Sequence, residues 1–130
     1  MRGRIATVSR MLSTSSLLAF AVSLAPQGPT PIQALIVSGA NNHDWRWTTP
    51  EIANTLTETG RFVVTVTDEP HKTLADAPAM HARGELDVLV LNYNGDRWGK
   101  AAEQGFLDAV RTGVGVTVIH AADNAFTGWA

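Results

Sequence analysis

The sequence predicts an α/β fold on a parallel sheet, and three observations carry that reading. Four short apolar runs rich in β-branched residues recur along the chain, at residues 35–37, 62–67, 86–91 and 114–119. Segments with helical spacing separate them, and alternation of strands with helices over short links argues for parallel strands joined by right-handed crossovers. Three of the runs also stop abruptly at His, Asp or Asn, the side chains that open α/β sheets gather beyond the carboxyl ends of their strands.

Each element has its own local signal. The first strand, Leu35-Ile-Val37, ends at Gly39. A helix is expected from Thr48, with Thr48 or Thr49 as its N-cap, Pro50 in the first turn and Glu51 completing a capping box. Ile52, Ala53 and Leu56 form its apolar stripe, and Gly60 its stop. The β-branched run 62–67 is the second strand. Asp68-Glu-Pro-His71 reads as a loop, followed by a weak helical stretch over 74–83 interrupted by Pro78. The third strand, 86–91, leaves into Asn92-Tyr-Asn-Gly-Asp96. Residues 100–111 make an amphipathic helix with Ala102, Phe106, Ala109 and Val110 on one face, closed by Gly113 before the fourth strand.

Strands arranged 2-1-3-4 give a flavodoxin-like sheet, a class that continues to five strands or more. Strand four would then be an uncovered edge of Val, Thr and Ile. The reading is that of a domain truncated after strand four, its C-terminal half being the missing partner.

Composition limits the function classes. At 130 residues, with 45% apolar and 17% charged residues, the chain has room for one globular domain. Arg2, Arg4 and Arg10 precede a short apolar segment rich in small residues that ends near Ala25. Residues 1–25 therefore read as a secretory signal peptide, and the product as exported to the periplasm or outside the cell. Cleavage is expected after Ala21, because Pro26 hinders the other small-x-small site at Ala25. Spanning a bilayer takes about 20 apolar residues, more than this run supplies, so no stable membrane anchor is expected after cleavage. Residues 26–33, with three prolines, read as a stiff linker to a domain at 34–130. Beyond residue 25, seven Lys and Arg face twelve Asp and Glu, a formal charge of −5. Nucleic acid is a poor partner for that surface. The chain has no cysteine, which excludes disulfides, thiolate metal sites and a cysteine nucleophile.

Two clusters carry the candidate chemistry, Asn41-Asn42-His43-Asp44-Trp45-Arg46-Trp47 after the first strand and Ile119-His-Ala-Ala-Asp123 after the fourth. In a 2-1-3-4 order they converge on one rim. His120 is a candidate general base or metal ligand, or else a histidine that merely holds the turn. Asp123 orients it, or caps a following helix. His43 and Asp44 form the second pair, and a divalent metal held by His43, His120 and a carboxylate is conceivable, although no helical His-x-x-x-His or paired-Cys spacing supports one. Trp45 and Trp47 offer aromatic faces to the apolar side of a ligand or act as a packing lid. Asn92, the first polar residue beyond strand three, and Tyr93 are candidates for hydroxyl recognition, whereas Asn94 to Asp96 read as turn residues. Gly113-Val-Gly115 precedes a strand, so it is no phosphate loop. His71 and His81 read as surface histidines.

From Ala34 to Trp129 the chain resembles the ThuA-like family, named for trehalose utilisation. The marks are Ala34-Leu-Ile-Val-Ser-Gly-Ala-Asn-Asn-His-Asp44, the Gly-x-Phe-x-Val pattern Gly60-Arg-Phe-Val-Val64, Asp87-Val-Leu-Val-Leu-Asn92, and Gly113-Val-Gly-Val-Thr-Val-Ile-His-Ala-Ala-Asp123 with Phe126. Val114 stands where the family more often has a third glycine, and the family's later Gly-His-Pro motif is absent, so about half of a family domain is covered. The resemblance implies the fold of class I glutamine amidotransferases and a carbohydrate or sugar derivative as the small-molecule partner. Relatives with glutaminase chemistry present a cysteine at the fourth-strand turn; without a thiol, that route is closed here. Two readings stand: a sugar-directed enzyme using His120, Asp123, His43 and Asp44, with Asn92, Trp47 and Tyr93 on the substrate, or a non-catalytic sugar-binding or interaction module. An inactive fragment is the third.

Overall fold

A computed structural model describes residues 28–126. The signal-peptide segment and the first residues of the linker lie outside the described part. Four strands, β1 (Ile32–Val37), β2 (Phe62–Thr67), β3 (Val88–Leu91) and β4 (Gly115–Val118), form one sheet in the order β2-β1-β3-β4. Every pairing is parallel. The sheet is flavodoxin-like, as the sequence predicts. Strand β1 begins at Ile32, three residues before the expected start, because the Ile32 N–H reaches the Arg61 carbonyl at 2.8 Å and the strand pairs with β2 along its whole length.

Burial follows position in the sheet. Ala34, Leu35, Ile36 and Val37 are all buried, both faces of β1 being covered, and this is why the run is continuously apolar. The edge strand β4 is exposed at all four residues, with Val116 and Val118 still 40% and 47% accessible. Its outer edge presents unpaired backbone groups among the described residues, a surface that invites another strand.

Helix α1 (Trp45–Glu58) packs beside β1 and β2 on the face that carries Ile36 and Val90. On the opposite face lie α2 (Pro70–Thr73), a 3₁₀ turn (Leu74–Asp76), α3 (Ala77–Ala82) and α4 (Lys100–Arg111). The core sits there, where Leu35, Val37 and Leu89 meet Leu74, Ala77 and Ala109. Among the described residues no helix is long and apolar enough to cross a membrane.

Other boundaries depart from expectation as well, β3 and β4 being shorter than the predicted runs 86–91 and 114–119. Helix α1 starts at Trp45, with Asp44 as N-cap, instead of at Thr48: the Asp44 carbonyl accepts the N–H groups of Trp47 and Thr48, leaving the Thr48 and Thr49 hydroxyls free for other work. Pro50 consequently lies inside the helix at an exposed position, where it supplies no amide donor. Asp68-Glu-Pro-His71 is not all loop, for Pro70 opens α2; likewise Pro78 occupies the first turn of α3 instead of interrupting a helix. In both cases the ring sits where no intrahelical N–H is needed.

Glu103, only 6% exposed, ties the start of α4 to the preceding loop by accepting from the Arg97 Nε at 2.9 Å and the Gly99 N–H at 3.3 Å. The Arg97 guanidinium holds this carboxyl below its ordinary range against the opposing effect of burial. A depressed folded pKa contributes stability that is present above the unfolded value and lost as the pH falls through the folded one. Urea midpoints measured across the acid range should therefore fall more steeply for the natural chain than for Glu103→Gln, and equal slopes would contradict this coupling.

Gly105 makes a sharper test of packing. In an isolated helix Gly→Ala stabilises by about 0.8–1 kcal/mol. Here a Cβ would lie 2.1 Å from the Leu74 carbonyl oxygen, where α4 crosses the 3₁₀ turn. Gly105→Ala should therefore lower stability by about 1–3 kcal/mol by urea unfolding; a gain would show that α4 does not approach the turn so closely.

Candidate functional site

The rim at the carboxyl ends of the strands is built from two loops. The first leaves β1 through Ser38, whose N–H donates to the Thr67 carbonyl at 2.8 Å, and Gly39, at φ 107°. A side chain there would collide with the Asp68 backbone, its Cβ falling 2.1 Å from the carbonyl oxygen. The chain then runs toward β3, where the Asn94 N–H donates to the Ala40 carbonyl at 2.8 Å. Asn41 accepts the His43 N–H on its side-chain oxygen at 2.9 Å, an Asx turn that delivers His43 to the start of α1.

The second loop leaves β4 with the Ile119 N–H on the Leu91 carbonyl at 2.9 Å. His120 follows, and then Ala121, buried and held in the left-handed region at φ 77°, ψ −28°. That conformation costs a non-glycine residue roughly 1–2 kcal/mol. It turns the chain into a 3₁₀ turn (Ala122–Asn124) and leaves His120 exposed on the rim. The strained elbow after the fourth strand thus carries a methyl group and no nucleophile.

His43 and His120 meet. Their ring centroids are 5.5 Å apart with planes tilted by 39°. The two loops converge because β1 and β4 flank β3 in the sheet. Asp44 and Asp123 lie beside their histidines in sequence, both exposed, and among the described residues neither carboxylate hydrogen-bonds an imidazole. Among the described residues no group of three or more His, Cys, Asp and Glu is arranged to hold a metal ion, so the pair offers two imidazoles without a carboxylate as third ligand.

The remaining candidates separate. Asn92 is 2% exposed and lies beneath the rim instead of on it. Its Nδ2 donates to the hydroxyls of Thr48 and Thr49, both at 3.0 Å. Its Oδ1 accepts from Asn41 at 3.3 Å. The Thr49 hydroxyl also pairs with that of Ser38 at 2.6 Å. Tyr93 turns to the core side, packing on Trp98 and Phe126 with its hydroxyl donating to the Asp96 carbonyl at 2.7 Å. Burial, and then the Asp96 charge, push its phenol upward. Trp47 is 63% exposed and lines an open groove of about 520 Å³ between α1 and the strands β3 and β4, together with Ile52, Val90, Thr117 and Ile119. Trp45 underlies the Arg46 guanidinium, 4.3 Å from the ring centroid, beside a second cavity of about 230 Å³ that Ser38 and Asp68 also line.

Sequence reasoning missed Ser38 as part of the site, took Thr49 for a helix cap, and placed Asn41 in the first loop cluster without its contact to Asn92. The available signal was a small polar side chain where a strand ends and another in the first turn of a helix, of which Thr49 was read as capping only.

The chain is similar to a crystal structure of a protein assigned as ThuA-like from Parabacteroides merdae ATCC 43184, with a TM-score of 0.65 and 35% sequence identity over 77% of this chain. This chain is ThuA-like. It spans 36% of the length of that ThuA-like protein, so the similarity concerns one part of it. No protein-family model and no curated protein matches the chain.

Proposed function

We propose that this ThuA-like domain binds or acts on a carbohydrate or sugar derivative at the rim of its sheet, and that it does so after export directed by residues 1–25. The observation that carries the reading is the His43–His120 pair, two exposed imidazoles brought together at the carboxyl ends of parallel strands. Imidazole is the side chain best suited to move protons near neutral pH. In a catalytic role His120 carries the proton, with His43 beside it and Asp44 or Asp123 as the charged partner once substrate orders the rim. Trp47 offers an exposed aromatic face to the apolar side of a sugar ring. The family name points to trehalose as the first probe. In this reading the open edge of β4 and the groove beside α1 are covered by further polypeptide of the ThuA-like domain, which completes the site.

A recognition module is the second reading, favoured by the absence of any hydrogen bond between a carboxylate and either imidazole among the described residues. Saturation-transfer NMR with trehalose, and then with other neutral disaccharides, tests the shared claim. Saturation should pass to the sugar from the natural chain and be lost with His43→Ala and His120→Ala together; no transfer to any of these sugars would remove the carbohydrate assignment. If turnover accompanies binding, His120→Ala should lower it by about 10²–10⁴-fold with saturation transfer retained. Undiminished turnover would leave the histidine a recognition role only.

A further inference from the structure

We infer that Asn92 is a positioning residue, the clamp that sets His43 against His120, and that it does not touch substrate. The inference rests on the reading of the histidine pair as the working part of the rim. Asn92 lies at the end of β3, between the strands that supply the two histidine loops. Its backbone is fixed to β1, the Asn92 N–H donating to the Val37 carbonyl at 2.9 Å. Its side chain is fully engaged: both amide hydrogens go to Thr48 and Thr49 at the start of α1, and the oxygen takes Asn41 at 3.3 Å. Asn41 also donates to the Asn92 carbonyl at 3.4 Å, and its own side-chain oxygen receives the His43 N–H at 2.9 Å.

One buried amide therefore grips both ends of the segment that carries His43, through Asn41 on one side and Thr48 with Thr49 on the other. Thr49 extends the chain of contacts to Ser38 at the end of β1. Only a planar group with two donors and an acceptor, of this size, serves all three partners at once. A buried amide left without them would bear a desolvation cost, so the geometry is strongly held. It also leaves Asn92 no free hydrogen for a ligand hydroxyl.

The test needs no substrate. In the natural chain, with histidines isotope-labelled, a nuclear Overhauser cross-peak should connect the rings of His43 and His120. Asn92→Leu keeps the approximate volume and removes every side-chain hydrogen bond, and should abolish that cross-peak while the Trp98–Phe106 and Trp98–Phe126 ring contacts of the core persist. A merely structural Asn92 would lower the unfolding midpoint and leave the cross-peak in place, and that result would overturn the inference. Should Asn92→Leu fail to fold, Asn41→Ala severs the arm of the clamp that leads directly to His43, from a partly exposed loop position, and leaves the Thr48 and Thr49 contacts in place. Its expected outcome is the same loss, and an intact cross-peak in that variant overturns the inference equally. Failure of sugar binding in the natural chain would instead strike the carbohydrate reading, with the cross-peak result unaffected.

Discussion

The structure depends on the double pairing of β1. This strand shares a register with β2 from Ile32 to Val37 and with β3 from Ala34 to Val37, so its backbone is satisfied on both sides and its side chains are buried on both faces. A parallel strand is apolar where both its faces are covered, here from Ala34 to Val37, and polar residues return where it leaves the sheet. Ser38 and the loop through His43 are that exit. Placing β3 next to β1, and β4 next to β3, brings the second histidine loop to the same rim without any direct pairing between the strands that bear them.

Much of this was legible in the sequence because continuous apolar runs have few alternatives. Residues 62–67 and 100–111 were bounded correctly, β2 by its β-branched composition and α4 by an apolar face closed with Gly113. The strand order followed from the flavodoxin-like class to which the alternating elements pointed. What failed failed for identifiable reasons. Asp44 caps α1 through its carbonyl, with no side-chain hydrogen bond to mark it, so the conspicuous Thr48-Thr49-Pro50-Glu51 pattern drew the boundary three residues late. The convergence of His43 and His120 was readable from order and position. The engagement of Asn92 was not, because an asparagine that ends a strand looks the same whether its amide meets solvent, a ligand or three buried neighbours.

The site and the sheet share an asymmetry. On the α2-to-α4 face the core is closed around Leu74 and Ala109, both fully buried. On the α1 face the cover stops short, so Ile52 and Leu56 are only half-buried and a groove runs beside Val90 and Thr117. The most strongly constrained backbone lies at the rim, in the left-handed Ala121 and in Gly39 against Asp68. Strain of this kind persists where surrounding contacts over-determine it. Here those contacts aim one histidine and give passage to the loop of the other.

Amide hydrogen exchange, read residue by residue, tests the central placement of β1 most directly. Every amide from Ala34 to Ser38 should be slow, since alternate N–H groups point to β2 and β3. The N–H groups of Gly115 in β4 and of Ile119 just beyond it, which donate to Asp87 and Leu91, should be protected, and those of Val116 and Val118 should exchange rapidly. Alternating fast and slow amides in β1, or slow exchange at Val116 and Val118, would contradict the strand order from which the meeting of the two histidines follows.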